Sequence, residues 1–185
     1  MKRLFTAIKL HPTPRFLEIF HFLKENLQPE RIKWVEEYNV HLTLKFFGET
    51  EEQKIPGIRK ALSEATKNTL PIEIELKGTG IFGSSYNPRV IWFGIEPNPE
   101  LQHLYGNIWK ELDKLGYVPD SQNFVPHLTI GRIKYLADKR FFQEVIHRYR
   151  QDFIQRETVK ELILFESILR PEGPVYKIIE CFPFH

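Results

Sequence analysis

Two short segments of this chain are near copies of each other: His-Leu-Thr-Leu at 41–44 and His-Leu-Thr-Ile at 127–130. Both lie in runs with the alternating apolar pattern of a β-strand, and nearly half of the 185-residue chain separates them. One copy alone would be a weak signal, but two copies at this spacing are fairly specific. The pair indicates two similar lobes that each contribute one strand to a shared cleft.

The spacing within each motif predicts which side chains face the cleft. Residues i and i+2 share one face of a strand, so His41 and Thr43 point one way, and His127 and Thr129 do the same on the second strand. The leucine and isoleucine side chains between and after them point into the core. The sequence therefore predicts two imidazoles and two hydroxyls around one cleft.

This set of groups suits displacement at phosphorus. One imidazole can activate the nucleophile while the other protonates the leaving oxygen. The hydroxyls of Thr43 and Thr129 can bind non-bridging phosphate oxygens. A single strand histidine or threonine is more often structural, and only the pairing favours function. The two motifs are too alike for the residues alone to assign the acid and the base.

The rest of the chain predicts a mixed fold. Strands come in pairs rather than in strict alternation with helices, which favours an α+β domain with antiparallel sheets flanked by helices. A glycine-rich segment at 78–88 is expected to be a loop, and 171–174 a turn. The predicted strands are 4–10, 32–35, 40–47, 71–77, 89–95, 126–133, 159–169 and 175–182. The predicted helices are 14–27, with Thr13 as its cap, 50–66, 97–115 and 138–149.

Composition excludes several classes of protein. The 26 Lys and Arg residues nearly balance the 24 Asp and Glu residues, so charge alone does not indicate a nucleic-acid-binding protein. Cys181 is the only cysteine, which excludes an intrachain disulfide and a cysteine-based zinc site. No segment is apolar enough to cross a membrane or to act as a signal peptide. We expect a cytoplasmic protein with no membrane partner.

The chain resembles the two-histidine phosphoesterase superfamily, whose hallmark is a pair of His-x-Thr-x motifs. More closely, it resembles the RNA 2',3'-cyclic phosphodiesterases, which are also called 2'-5' RNA ligases. Phe47 is a departure, since leucine is commoner there, and we expect only a packing change. The segments that carry the resemblance are 3–8, 34–35, 41–49, 88–92, 126–132, 167–171 and 173–176.

The resemblance implies one two-lobed phosphoesterase domain over 1–185, with two pseudo-symmetric lobes around a central cleft and no metal or cofactor. It implies hydrolysis of an RNA 2',3'-cyclic phosphate end to a 2'-phosphomonoester, with His41 as proton donor and His127 as proton acceptor. The reverse reaction would join RNA ends through a 2'-5' linkage. The expected partners are RNA ends or short oligonucleotides, and a monomer is expected.

Two basic residues near the motifs are further candidates for phosphate binding. Lys45 shares a face with His41 and Thr43 by strict alternation, although it can equally be a solvated lysine at the strand end. Strict alternation turns Arg132 away from His127, but a bulge at Gly131 would return it to the cleft. The resemblance favours a phosphate role for Arg132.

Aromatic side chains offer stacking surfaces for a terminal base. The candidates are Phe82 and Tyr86, with Trp34 and Phe47 more consistent with a core role.

Three other functions remain open on the sequence alone. The chain could be a non-catalytic module that binds RNA ends, or a phosphodiesterase for another small cyclic nucleotide. It could also be a metal-dependent phosphodiesterase with His41 and His127 as ligands, although no acidic residue accompanies either motif at ligand spacing.

Overall fold

The computed structural model of the protein describes residues 1–119, 124–171 and 173–185. Two short 3-10 helices, Glu37–Asn39 and Glu52–Lys54, precede the third strand and the second α-helix. The elements are β1 (Lys2–Lys9), α1 (Pro14–Asn26), β2 (Arg31–Trp34), β3 (His41–Thr50), α2 (Ile55–Thr66), β4 (Ile72–Gly83), β5 (Pro88–Ile95), α3 (Pro99–Asp113), β6 (His127–Tyr135), α4 (Lys139–His147), β7 (Phe153–Val159), β8 (Glu161–Leu169) and β9 (Pro174–Pro183).

The strands form two antiparallel sheets. Sheet I has the order β3-β1-β8-β9, and sheet II has the order β2-β6-β5-β4-β7. The first motif begins β3 at an edge of sheet I, and the second begins β6, one strand from an edge of sheet II. These two strands approach each other, so the motifs meet between the sheets. The predicted α+β class with antiparallel sheets is confirmed.

Local sequence explains where three of the helices begin. The side chains of Thr13, Asn98 and Asp138 each accept a hydrogen bond from a backbone N–H in the first turn of α1, α3 and α4. Proline follows the first two of these caps, where its missing N–H costs nothing. The apolar stripes that follow are buried, and they anchor the helices to the sheets.

The helices cover the outer faces of the sheets. Phe16 of α1 packs edge-on against Phe93 of β5, with ring centroids 4.9 Å apart, and α4 contacts β4. On sheet I, α2 contacts β9 and packs against α3. One continuous cluster of buried apolar side chains runs through both layers. A second, smaller cluster of Phe5, Ala7, Ile163 and Phe165 lies on the opposite face of sheet I, toward the cleft.

The segment predicted as a loop at 78–88 is mostly strand, because β4 continues to Gly83. Its glycines are there for packing. A Cβ at Gly80 would lie 2.2 Å from the ring of Trp92. A Cβ at Gly78, where φ is +74°, would lie 2.3 Å from a backbone oxygen. The register of β4 shifts near this residue in its pairing with β5 and also in its pairing with β7. Glycine here marks a bulge and close packing, which the sequence pattern does not distinguish from a loop.

One helix boundary was predicted wrongly, and one strand was not predicted. The second helix was expected from residue 50, but β3 extends to Thr50 and α2 begins at Ile55. The strand β7 was not predicted, because its polar sequence fits an edge strand that pairs only with β4. The turn predicted at 171–174 joins β8 to β9, and Glu172 within it lies outside the described residues.

In the part of the chain that the structure describes, no helix combines the length and apolar character needed to cross a membrane.

Candidate active site

His41 is held at the start of β3 by one hydrogen bond and two aromatic rings. Its Nδ1 lies 2.6 Å from the carbonyl oxygen of Asn39, in the preceding 3-10 helix. The ring packs against Phe5, with centroids 5.0 Å apart, and edge-on against Tyr176 at 5.2 Å. The imidazole therefore has little rotational freedom.

His127 is held in the same way on the other lobe. Its Nδ1 lies 2.8 Å from the carbonyl oxygen of Val125, again two residues earlier in the chain. Phe82 meets the imidazole edge-on, with centroids 4.5 Å apart. The two lobes thus repeat the support of the histidine as well as its motif, and Phe82, a predicted stacking residue, contacts the histidine.

The carbonyl contacts determine the tautomer of both histidines. A carbonyl oxygen only accepts, so the Nδ1–H of His41 and of His127 donates to it, and Nε2 is the free nitrogen. Burial lowers the pKa of both imidazoles below the ordinary value, the carbonyl bond opposes this, and the charge of Arg132 lowers the pKa further. Both rings are therefore biased toward the neutral form while the cleft holds no anion.

The alternation predicted within each motif is present. Leu42 and Leu128 are fully buried, while Thr43 is exposed and Thr129 is half-buried. Because β3 and β6 approach each other, the two threonines lie on strands that border the same cleft as the histidines.

Arg132 faces the cleft because β6 has a bulge. Ile91 of β5 pairs with Gly131 but Trp92 pairs with Thr129, so Ile130 is an extra residue on β6. The extra residue reverses the alternation and returns Arg132 to the face of Thr129. Arg132 also lines one hollow together with Tyr176, the residue that contacts His41. The bulge was expected at Gly131, and the extra residue is its neighbour Ile130.

Lys45 does not share the face of His41 and Thr43, and that prediction was wrong. Ala7 of β1 pairs with Thr43 but Thr6 pairs with Lys45, so Leu44, the last residue of the first motif, is an extra residue on β3. The bulge turns Lys45 to the helix-covered face, where its Nζ lies 4.5 Å from the ring centroid of a tryptophan on α3.

Trp34 and Phe47 have the core role that was considered for them. Trp34 packs edge-on against Phe20 of α1, with centroids 5.7 Å apart. Phe47, the departure from the family pattern, packs edge-on against Tyr117 at 5.5 Å. Both side chains are half-buried and pack against the main apolar cluster, and Trp34 also lines a hollow with Arg132 and Tyr176.

Sequence reasoning missed two cleft residues, Lys33 and Tyr176. Lys33 on β2 lies directly opposite Arg132 on β6. Tyr176 on β9 contacts His41, and burial raises the pKa of its hydroxyl. Both residues line a hollow of about 340 Å³ that also includes Arg132. Only the strand pairing brings them to the motifs, and a single sequence does not reveal the pairing.

A smaller hollow of about 270 Å³ lies beside His41 and shares Tyr38, Asn39 and Tyr176 with the hollow at Arg132. The two hollows are therefore neighbours, one at His41 and the other at Arg132. Within residues 1–119, 124–171 and 173–185, no three His, Cys, Asp or Glu side chains converge as metal ligands would.

Comparison with known proteins adds to this geometry. The sequence model of the 2'-5' RNA ligase superfamily matches residues 21–167. An RNA 2',3'-cyclic phosphodiesterase from Archaeoglobus fulgidus is 34% identical over 180 residues, which cover 97% of this chain and 99% of that protein. Another from Methanocaldococcus jannaschii is 37% identical over 179 residues, which cover 96% and 98%.

A solved structure shares the fold of this chain. The crystal structure of the protein TT0787 of Thermus thermophilus superposes with a TM-score of 0.80 at 27% identity, covering 98% of this chain and 97% of that one. The chain therefore belongs to the 2'-5' RNA ligase superfamily and, within it, to the family of the RNA 2',3'-cyclic phosphodiesterases.

Proposed function

We propose that this protein hydrolyses the 2',3'-cyclic phosphate at RNA ends to a 2'-phosphomonoester, by acid–base catalysis between His41 and His127 and without a metal ion. The observation that carries the proposal is the matched support of the two imidazoles. Each Nδ1 is held by the carbonyl oxygen two residues earlier, so each Nε2 carries the lone pair of the neutral ring. Two such nitrogens on facing strands are what in-line displacement requires.

The two histidines share the proton transfers of one turnover. The neutral Nε2 of His127 accepts a proton from water as the water oxygen attacks phosphorus. The P–O3' bond breaks on the opposite side, and the protonated Nε2 of His41 donates its proton to the departing O3'. The phosphate stays on O2', and the two histidines end with exchanged protonation states that solvent restores. The assignment of His41 as acid and His127 as base rests on the family resemblance.

The substrate phosphate supplies the negative charge that favours protonation of His41. Burial and Arg132 favour neutral imidazoles, whereas the acid must be protonated for turnover. A bound phosphodiester anion screens the charge of Arg132 and attracts the imidazolium proton, so it raises the pKa of His41. Catalysis therefore depends on an anion being bound between the histidines.

Arg132, Thr43 and Thr129 are proposed to hold the non-bridging oxygens. A guanidinium binds phosphate oxygens through two parallel N–H donors, and a hydroxyl donates to one. Lys33 directly opposite Arg132 supports an anion site, because like charges at opposed strand positions destabilise a sheet unless something neutralises them. Lys45 is not part of this proposal, because its ammonium lies on the other face of β3.

We also propose that the chain acts as one two-lobed domain over 1–185 and as a monomer in the cytoplasm. A single cysteine forms no intrachain disulfide, which fits a reducing compartment such as the cytoplasm. Ligation through a 2'-5' linkage would use the same displacement with an RNA 5' hydroxyl in place of water: the 5' oxygen bonds to phosphorus, the P–O3' bond breaks, and the histidines transfer the same two protons.

The test is hydrolysis of an RNA oligonucleotide with a 2',3'-cyclic phosphate end, followed by phosphorus NMR against 2'- and 3'-monophosphate standards. We expect the 2'-phosphate, and undiminished turnover after dialysis against a chelator. A 3'-phosphate product would refute the orientation of the substrate but not the two-histidine chemistry. Loss of turnover with the chelator would favour the metal-dependent alternative, and binding without turnover would favour the RNA-end module.

A further inference from the structure

A second hollow, of about 580 Å³, lies at the end of β6 away from His127. Four cationic side chains line it: Arg89 at the start of β5, Arg132 and Lys134 on β6, and Lys139 at the start of α4. Among the described residues, those that line this hollow include no aspartate or glutamate. We call this hollow the basic groove. Its charge contrasts with the near balance of the whole chain.

The local structure does not stabilise the positive charge of these four side chains. Lys139 is the first residue of α4, where the helix dipole disfavours positive charge. The neighbouring Asp138 is occupied as the helix cap and accepts from the backbone N–H of Phe141. In the described ranges, none of the four groove cations pairs with a carboxylate, although Arg140 beside them pairs with Glu144. The cations thus repel one another unless an anion lies between them.

Two exposed aromatic rings border the same hollow. Tyr86 is 80% exposed and Tyr135 is 61% exposed, and both line the basic groove. Exposed aromatic rings beside a positively charged groove are the combination that binds single-stranded nucleic acid, since bases stack on the rings while cations contact the phosphates. Tyr86, considered above as a stacking residue, therefore stands at the basic groove and not at His127.

Arg132 belongs to both the basic groove and the cleft. Arg132 lines the basic groove and also the hollow of about 340 Å³ that contains Lys33 and Tyr176. The strand β6 carries His127 at one end and Lys134 seven residues later, which corresponds to about 23 Å along a strand. A mononucleotide at His127 does not reach Lys134, whereas an oligonucleotide does.

We propose that the basic groove binds the phosphodiester backbone of the RNA strand on the 5' side of its cyclic phosphate. The enzyme then prefers oligonucleotides to cyclic mononucleotides of the same terminal base. This inference rests on the proposed function, since the cyclic phosphate sets which end of the strand lies at His127. It adds a second binding site outside the two motifs.

The test compares the double variant Lys134→Ala/Lys139→Ala with the control Lys60→Ala/Lys110→Ala. The control removes two exposed lysines from α2 and α3, which line neither the cleft nor the basic groove. Arg132 is left unchanged because it also belongs to the cleft. For each protein, kcat/KM is measured with a nucleoside 2',3'-cyclic monophosphate and with a single-stranded oligonucleotide ending in the same nucleotide.

The groove variant is expected to lose about 3- to 20-fold more kcat/KM on the oligonucleotide than on the mononucleotide at low ionic strength. The control is expected to lose none of this preference. The salt dependence of the oligonucleotide reaction should also weaken, with the log–log slope reduced by about 1.4 for two lost phosphate contacts. Equal loss on both substrates, or an unchanged slope, would overturn the inference.

A binding measurement separates this inference from the proposed function. Fluorescence anisotropy with a labelled oligonucleotide ending in a 2',3'-cyclic phosphate requires no turnover. Weaker binding by the groove variant alone supports the basic groove even if no protein hydrolyses the probe, a result that would refute the proposed function. Equal binding by all three proteins refutes the basic groove and leaves hydrolysis at the histidines intact.

Discussion

Replacing Arg132 with alanine should affect both the rate and its pH dependence. A charge-assisted hydrogen bond is worth about 1.5–3 kcal/mol, so loss of the phosphate contact should lower kcat/KM by about 10- to 150-fold. The pKa values of His41 and His127 should rise, because the charge that lowers them is gone. They should stay below the ordinary value, since burial is the larger cause of the shift and remains.

The assay is kcat/KM for a cyclic-phosphate oligonucleotide across pH, with thermal unfolding as the check on the fold. Both limbs of the profile should move to higher pH in Arg132→Ala. Stability should not fall, because removing one of two opposed like charges on β2 and β6 relieves repulsion. Arg132→Lys should hold the limbs near their original positions while recovering only part of the rate, since lysine keeps the charge but not the two-pronged contact. A rate within about twofold of the wild type, with unmoved limbs, would refute the cleft-facing bulge.

Three further outcomes are expected. The profile of kcat/KM should be bell-shaped with its maximum on the acid side of neutrality, because the pKa values of His41 and His127 are lowered in the free enzyme, and the kcat profile should lie at higher pH. A flat profile would contradict this. Lys45→Ala should change kcat/KM by less than about twofold, since its ammonium lies on a tryptophan outside the cleft. Gly80→Ala should lower the free energy of unfolding by about 1–3 kcal/mol in a denaturant titration, because its Cβ would lie 2.2 Å from the ring of Trp92, and unchanged stability would show that the ring moves freely.

The motif pair could be interpreted from sequence because a strand repeats every two residues. Strict alternation correctly places His41 and Thr43 on the face opposite to Leu42. It gives the wrong face for Lys45 on β3 and for Arg132 on β6. The last residue of each motif, Leu44 or Ile130, is an extra residue without a partner position on the neighbouring strand, so the side chains beyond it change face. On β3 the bulge removes Lys45 from the cleft, and on β6 it brings Arg132 into it. The same irregularity thus overturns one prediction and supports the other.

The other misses come from strand pairing, which is a property of the folded chain. Lys33 lies beside Arg132 only because β2 pairs with β6, two segments nearly a hundred residues apart in the chain. Tyr176 meets His41 only because β1 lies between β3 and β8, with β9 next to β8. The strand β7 was not predicted because it lies at the edge of sheet II, where a strand needs no continuous apolar face. Composition and periodicity carry no information on these pairings.

The central claim is that His41 and His127 transfer the protons of one hydrolytic turnover. The measurement that tests it most directly is single-turnover hydrolysis of a cyclic-phosphate oligonucleotide by His41→Ala and by His127→Ala, with circular dichroism to confirm folding. Each variant should lose about 10²- to 10⁴-fold in rate, because each removes one general acid or base. The double variant should be little slower than either single variant, since both groups serve one step. A folded single variant with near wild-type turnover would contradict the account.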